Sequence, residues 1–275
     1  MLYKWKDDNK NKQKNHYVFP SPSLRYLIIG RSNCGKTSLL LKLLLENFID
    51  FNDLFLYSKS THQPEYKLLK NAFDKGYNKS EIIDLFSNGN GNIDEYLENL
   101  PKKRQQKCAI EYFENTASVP DPSDIDPGRK NLFIFDDIAT EKNQNPADSF
   151  YTCGRHNNCS SIYLSQNYHI LPRQTIRTNS NLLILFELPF IDMKNIHSDY
   201  VACDMPFVEF QELCNETYKV PYSFVLINKD EHPSSGKYFK NLNQLYIPQK
   251  YFSDSRSRLS PEFSVKECSI GENDR

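Results

Sequence analysis

The strongest chemical pattern in this sequence is an eight-residue run, Gly30-Arg31-Ser32-Asn33-Cys34-Gly35-Lys36-Thr37, which fits G-x-x-x-x-G-K-[ST] at every fixed position. Glycines let such a loop curl so that successive backbone N–H groups face one anion. The run follows an apolar segment and opens a leucine-rich one, as the motif requires. We therefore predict a phosphate-binding loop that, with the adjacent Ser38, binds a nucleoside triphosphate, and Lys36 is expected to reach its β- and γ-phosphates.

A second pattern lies about 100 residues further on, where four apolar residues run directly into Asp136 and Asp137. In P-loop enzymes the Asp that ends a buried strand holds Mg²⁺, so Thr37 and Asp136 are the predicted metal ligands. An adjacent carboxylate suits a general base, and Asp137 is the predicted catalytic base that activates water. Two Asp residues at a strand end also fit a plain turn with a helix cap, and the phosphate loop upstream favours the catalytic interpretation.

Two further polar residues flank a later predicted strand at 161–164. Gln166 follows this strand, where its amide can contact both the γ-phosphate and the attacking water, so it is the predicted sensor of hydrolysis. Arg155 precedes the strand and is the first candidate for an arginine that acts on a neighbouring subunit's nucleotide, with Arg173 and Arg177 as alternatives. The alternative interpretation of Gln166 is a polar residue at a strand end, and that of Arg155 is a solvated surface arginine. An arginine that acts in trans would make the protein work only as an oligomer.

The elements that position these residues alternate along the chain. Short apolar segments typical of buried strands occur at 24–29, 54–57, 108–113, 131–135, 161–164, 182–186, 222–227 and near 245–247. Helical patterns occur at 36–48, 64–100, 145–153 and after Pro189. Buried strands that alternate with helices predict an α/β fold, a three-layer P-loop NTPase with a mostly parallel central sheet. The strand that follows the acidic strand is typical of the RecA-like P-loop ATPases that have an added strand and a catalytic acid.

We predict one P-loop ATPase domain over residues 21–252, with a helical and loop insertion at about 64–128. A polar leader (1–20) precedes it and a flexible tail (253–275) follows. ATP is the expected nucleotide, because the acidic pair lacks the D-x-x-G of simple GTPases. The run Asn228-Lys229-Asp230-Glu231 resembles the guanine-reading N-K-x-D but ends in Glu, and it is predicted to be a polar turn.

Composition narrows the class of protein. The chain has 275 residues with 34 Lys and Arg against 35 Asp and Glu, which excludes a histone-like polycation. A hydrophobic content of 39% excludes disorder for most of the chain. No apolar run approaches the roughly 20 residues of a membrane span, the N-terminus has no signal core, and the seven cysteines include no C-x-x-C pair. We expect an intracellular protein that is not secreted and has no membrane span.

The sequence resembles the poxvirus-type genome-packaging ATPases of the FtsK–HerA superfamily, with relatives in giant viruses, virophages and Polinton-like elements. The similarity covers about residues 24–250 and is carried by GRSNCGKTSLL, NLFIFDDI, YTCGRHNNCSSIYLSQNYHILPRQTIRTN and SFVLINKD. It implies a homo-oligomeric ring, pentamer or hexamer, that uses ATP and Mg²⁺ to pump double-stranded DNA into a preformed capsid. It also implies capsid or portal-vertex partners and a place in the host cytoplasm or virus factory, with virion association left open. In related conjugative coupling proteins the neighbour-supplied arginine precedes the sensor glutamine at a similar distance, which supports Arg155.

The DNA contacts and two other functions stay open. The sequence has no long basic run, so the cluster Lys102, Lys103, Arg104 and Lys107 is the candidate DNA contact, against a solvated charged face. The first alternative function is a helicase-like or conjugative DNA pump on the same core, which strand separation would distinguish. The second is a nucleotide-binding scaffold without turnover, which the absence of ATPase activity would distinguish.

Overall fold

The structure is a computed structural model that describes residues 18–19, 23–46, 48–59, 63–75, 109–139, 141 and 143–252. The predicted tail, residues 1–17 of the predicted leader, the basic cluster at 102–107 and most of the predicted helical stretch at 64–100 lie outside these residues. Within the described part of the chain, no helix is long and apolar enough to cross a membrane.

Nine strands form one sheet within the described residues. They are β1 (Arg25–Ile29), β2 (Asp53–Ser58), β3 (Ala109–Phe113), β4 (Asn131–Asp136), β5 (Cys159–Ser165), β6 (Leu182–Leu185), β7 (Val225–Asn228), β8 (Tyr238–Lys240) and β9 (Gln244–Tyr246). The order is β3-β2-β4-β5-β1-β6-β7-β8-β9. Neighbours from β3 to β6 are parallel, and β7, β8 and β9 pair antiparallel, so the predicted α/β fold with a mostly parallel sheet is confirmed. Strand β8 was not among the predicted strands.

Strand β5 lies between β1 and β4 and pairs in parallel with both. This is the added strand expected of P-loop ATPases with a catalytic acid. In register, Ile29 of β1 lies opposite Ser165, and Asp136 of β4 lies opposite Leu164. Because parallel strands end at the same edge of a sheet, the residues that follow these three strands meet at one edge.

Five helices lie in the described residues: α1 (Lys36–Leu45), α2 (Pro64–Asp74), α3 (Asn145–Cys153), α4 (Phe190–Ile196) and α5 (Phe207–Tyr218). Helix α1 is three residues shorter than predicted, and α3 has the predicted bounds. Single-turn elements occur at Thr116–Ser118, Pro122–Asp124, Gly154–Asn157, Arg173–Arg177, His197–Val201 and Gln249–Tyr251.

Apolar side chains cover both faces of the sheet. In β1, Tyr26 and Ile28 belong to one core cluster, whereas Leu27 and Ile29 belong to the other. The leucines of α1 fill the first cluster, and the second is rich in aromatic rings, of which Phe133 and Phe150 lie 3.7 Å apart between centroids. Strands buried on both faces leave only the sheet edges for polar chemistry, as in other parallel sheets.

Two residues of the predicted polar leader are part of this core. Val18 and Phe19 are fully buried, and the Phe19 ring packs on Tyr26 at 5.2 Å between centroids. The Asn228 side-chain amide donates a hydrogen bond to the Val18 carbonyl at 3.2 Å. Because charged and polar residues precede this short apolar pair, the sequence does not indicate that the pair is buried.

Candidate functional site

The predicted phosphate loop connects β1 to α1 and turns sharply. Asn33 and Gly35 both have positive φ, +59° and +99°. A Cβ on Gly30 would lie 2.6 Å from Cβ of Phe186 and 2.7 Å from Sγ of Cys34, so only glycine fits there. The first N–H groups of a helix have no partner within it, and α1 begins at Lys36 without a side-chain cap. The loop therefore presents backbone donors and the positive end of the helix dipole, which suit a phosphate.

A cleft of about 550 Å³ opens beside this loop. Its wall contains most of the predicted site residues together with five that were not predicted. The lining comprises Ser32, Asn33, Gly35, Lys36, Thr37, Ser38, Gln63, Glu65, Asp136, Asp137, Leu164, Ser165, Gln166 and Tyr222. Residues from three strand ends thus face one space, as the order β4-β5-β1 requires.

Lys36 is held by the loop itself. Its ammonium donates to the carbonyl of Gly30 at 2.6 Å and to that of Arg31 at 2.8 Å. Cys34, also in the loop, is buried, and burial raises the pKa of its thiol, which stays protonated at neutral pH. Arg31, which was predicted to bind the nucleotide, does not line the cleft and pairs with Glu187 at 2.8 Å. Lys36 is therefore the cation that the loop places in the cleft.

The two aspartates occupy different environments. Asp136 is 6% exposed, and burial raises the pKa of its carboxyl, an effect that Asp137 increases and that Tyr66 and Lys36 oppose. Asp137 is exposed and has a φ of +55°, a left-handed conformation that Asp tolerates better than most residues. The chain thus turns directly after β4 and brings one buried and one exposed carboxylate to the same cleft.

Tyr66, which sequence reasoning missed, holds Asp136. Its hydroxyl donates to Oδ2 of Asp136 at 2.7 Å, and burial raises its pKa well above the ordinary value, so it remains a donor. The Tyr112 hydroxyl in turn donates to the Tyr66 carbonyl at 2.9 Å. Gln63 and Glu65 reach the cleft from the same region, at the start of α2. Nothing in the sequence signals these contacts, because Tyr66 is one apolar position of an ordinary amphipathic helix.

Gln166 and Arg155 lie at opposite ends of β5. Gln166 follows the strand, is exposed and lines the cleft. Arg155 lies in the turn Gly154–Asn157 that precedes β5, so it is at the other edge of the sheet and outside the cleft of its own chain. It is exposed, and its side chain makes no hydrogen bond or ion pair with the described residues. The structure therefore brings Gln166 to the phosphate loop and separates Arg155 from it.

The two alternative arginines are engaged within their own chain. Arg177 is 14% exposed, lies 3.4 Å from an Asp199 oxygen and 4.9 Å from the centre of the Tyr168 ring. Arg173 is exposed and pairs with the other Asp199 oxygen at 3.1 Å. Of the three candidates, Arg177 is the least available to a neighbouring subunit.

The N-K-x-D-like run is far from the phosphate loop. Strand β7 is antiparallel to β6, and Asn228 lies opposite Leu182, the first residue of β6. The following turn is therefore at the edge opposite the cleft, where Asp230 accepts a hydrogen bond from the Asn181 amide at 2.8 Å. Its position agrees with the predicted polar turn and with the exclusion of guanine reading.

The oxygen groups of the cleft fit a magnesium ion that is bound together with a phosphate. Magnesium sites commonly use one or two carboxylates, water and substrate phosphates rather than a full protein cage. Thr37 and Asp136 supply one hydroxyl and one carboxylate to the same wall. Within the described residues, no cluster of three or more His, Cys, Asp or Glu forms a separate metal site.

Comparison with known proteins indicates the family to which this chain is related. The family model described as "Poxvirus A32 protein" matches residues 13–208. Solved structures with a similar fold include the genome packaging NTPase B204 from Sulfolobus turreted icosahedral virus 2 in complex with AMPPCP (14% identity, 80% of this chain and 98% of that chain, TM-score 0.46). VirB4 of Thermoanaerobacter pseudethanolicus also has a similar fold (6% identity, 82% of this chain and 90% of that chain, TM-score 0.42). A comparison with curated protein sequences gives no match. Since the family model covers well over half of the chain, including the phosphate loop and the acidic pair, this chain belongs to the poxvirus A32 protein family, which confirms the resemblance seen in its sequence.

Proposed function

We propose that this protein is an ATP-hydrolysing DNA translocase that packages double-stranded viral DNA into a preformed capsid. Membership of the poxvirus A32 protein family supports the viral setting. The observation that carries the enzymatic part is the position of β5 between β1 and β4, which puts Gln166 in one cleft with Lys36 and Asp137. A phosphate-binding group, a base and a polar sensor in one cleft are what hydrolysis of a triphosphate requires.

The loop residues bind the nucleotide in this proposal. The loop from Gly30 to Ser38 would bind the phosphates of ATP, and Lys36 would supply a positive charge. Thr37 and Asp136, which both line the cleft, would hold Mg²⁺. Bound magnesium would neutralise negative charge on the phosphates. Tyr66 keeps the Asp136 carboxylate in place through its hydrogen bond.

The exposed carboxylate performs the chemistry. Asp137 accepts a proton from the attacking water, and its exposed position gives water access. Gln166 orients that water and contacts the γ-phosphate, so that it reports hydrolysis to the chain that follows β5. Asp136 is almost fully buried and therefore is a metal ligand rather than a base.

We assign the trans arginine to Arg155. It is exposed, free of ion pairs among the described residues, and at the edge of the sheet opposite the cleft. In a head-to-tail ring, pentamer or hexamer, the two different edges of adjacent subunits come together, so an arginine on one edge can reach a nucleotide on the other. Arg173 and Arg177 are less suitable, because both pair with Asp199 of their own chain.

The remaining partners follow from this function. DNA contacts are made mainly to phosphates and weaken with salt, and Lys102, Lys103, Arg104 and Lys107 are the candidates outside the described residues. Capsid or portal-vertex proteins would receive the ring in the host cytoplasm or virus factory. Two alternative functions, a helicase-like or conjugative pump and a non-hydrolysing scaffold, would use the same cleft. The assay below distinguishes them from the proposed translocase.

ATP hydrolysis by the purified chain, with and without duplex DNA, tests the proposal. Wild type is expected to hydrolyse ATP faster with DNA and not to separate its strands. Lys36→Ala should lose nucleotide binding and turnover, because it removes the cation held by the loop. Lys250→Ala, an exposed lysine in another part of the chain, is the matched control and should behave as wild type.

The outcomes separate the candidates. Unchanged hydrolysis in Lys36→Ala would remove the phosphate-loop assignment. Strand separation would favour the helicase-like pump, and nucleotide binding without turnover would favour the scaffold.

A further inference from the structure

A second cavity, of about 790 Å³, adjoins the cleft, and nothing in the proposed function uses it. Gly35, Ser38 and Tyr222 line both spaces, so the two are adjacent. The rest of its wall is apolar or aromatic apart from one lysine and two amides: Leu39, Lys42, Phe48, Phe186, Phe224, Asn241, Leu242 and Asn243. A mostly apolar cavity with a few polar groups is the usual form of a small-molecule site.

Tyr222 stands at the junction of the two spaces. It is 72% exposed and has a φ of +62°, an uncommon conformation for a bulky residue. Its ring lies against the phosphate loop, since a Cβ on Gly35 would be 3.3 Å from the Tyr222 Cδ1 atom. A strained, exposed aromatic residue beside a phosphate loop points to a role in ligand binding.

Asn241 offers a defined donor to the same cavity. Its Oδ1 accepts a hydrogen bond from the Phe224 N–H at 3.1 Å, and its own backbone N–H donates to the Phe224 carbonyl at 2.8 Å. These bonds hold the residue and use its acceptor. The Asn241 amide nitrogen makes no hydrogen bond with the described residues, so it remains available as a donor.

We propose that this second cavity binds the purine base and ribose of the nucleotide, with the base stacked on Tyr222 and an acceptor nitrogen of the base facing the Asn241 amide. A flat aromatic face and a free donor are the groups that recognise a base. The inference rests on the proposed function only in that the ligand is a nucleotide, whether or not it is hydrolysed.

Calorimetric titration with Mg-ATP and with magnesium tripolyphosphate separates the base from the phosphates, because tripolyphosphate has no base. Tyr222→Ala is expected to weaken ATP binding about 5- to 100-fold, the usual range for loss of one stacking partner. It should leave tripolyphosphate binding unchanged, whereas Lys36→Ala weakens both ligands. Tyr222→Phe should bind ATP as wild type, because it keeps the ring.

Two further variants provide a control and a test of the Asn241 donor. Val220→Ala changes an exposed residue in the same loop that does not line this cavity, and it should alter neither affinity. Asn241→Asp keeps an oxygen for the Phe224 N–H and removes the donor, so it should weaken ATP binding several-fold and leave tripolyphosphate binding unchanged.

Equal losses for ATP and tripolyphosphate in Tyr222→Ala would overturn the inference, because Tyr222 would then act only by supporting the loop. Unchanged ATP binding in that variant would overturn it as well. These outcomes are distinct from failure of the proposed function. A protein that binds ATP through Tyr222 but does not hydrolyse it would support the base site and contradict the proposed translocase.

Discussion

The two edges of the parallel sheet use charged residues in opposite ways. At the edge where the strands start, Arg129 forms a two-bond ion pair with Asp53, and Lys130 pairs with Asp50 at 2.5 Å. At the edge where they end, Asp137 and Gln166 are exposed, and their side chains make no hydrogen bond or ion pair with the described residues. Arg129 and Lys130 at the first edge therefore satisfy their charges within the chain, whereas Asp137 and Gln166 at the second edge remain available to a ligand.

This difference follows from the burial of the sheet. Both faces of the strands are covered, so polar side chains are confined to the strand ends. Groups paired within the chain stabilise the fold but are not available for chemistry. Arg155 is also at the first edge, but its side chain is exposed and unpaired among the described residues, so its removal tests the comparison most severely.

Arg155→Ala is expected to have the largest effect, a fall of about 10³- to 10⁵-fold in ATP turnover, the range found for arginines that act in trans. Nucleotide binding should persist, since Arg155 lies at the opposite edge from the loop. Mixing Arg155→Ala with Lys36→Ala should restore part of the activity, because some interfaces in mixed rings then carry neither change. Steady-state ATPase assays over a range of mixing ratios measure this.

Arg173→Ala is the comparison for this experiment, since Arg173 is also exposed but has a partner in Asp199. A larger loss in Arg173→Ala would move the role to that residue. Absence of rescue at every mixing ratio would contradict an arginine supplied by a neighbour.

Asp137→Asn should lower turnover by about 10²- to 10⁴-fold, the usual contribution of a general base, and should leave ATP binding intact. Asn tolerates the left-handed conformation at this position as Asp does, so the fold is kept. Asp124→Asn changes an exposed aspartate near the turn that precedes β5, at the opposite edge, and should have no effect. Equal turnover in the two variants, measured by phosphate release, would remove the base assignment.

Arg129→Ala should have the smallest effect on activity and a clear one on stability. It leaves the nearly buried Asp53 without its partner, which lowers the free energy of unfolding by about 1–3 kcal/mol. Lys59→Ala breaks the more exposed pair with Glu141 and should cost less than about 1 kcal/mol. Urea denaturation measures both, and a loss of ATP turnover in stable Arg129→Ala would contradict the division between the two edges.

Local patterns were predictable because each lies within one stretch of chain. The phosphate loop and the acidic pair are contiguous residues whose chemistry depends on their types and on the strand or helix beside them. The same holds for most strands, whose apolar runs record burial on both faces. The position of β5 also agreed with the prediction, because the strand follows the acidic strand and its own end carries Gln166.

Contacts between distant residues were not predictable. Tyr66 and Asp136 are 70 residues apart, and neither residue type indicates the other as its partner. The burial of Val18 and Phe19 depends on Tyr26 and Asn228, and β8 is a strand through its antiparallel pairing with β7 and β9. In each case a side chain's role is set by what packs against it, which no short pattern contains.

The amino-acid sequence alone determined that the chain has a phosphate loop, an acidic strand end and an α/β fold, because these depend on neighbouring residues and on periodic burial. Only the tertiary structure decided that Asp136 is buried against Tyr66 while Asp137 faces water, and that Tyr222 covers Gly35. The reason is physical: local residue types set backbone preferences, whereas burial, hydrogen-bond partners and access to a cleft arise only when distant segments pack together.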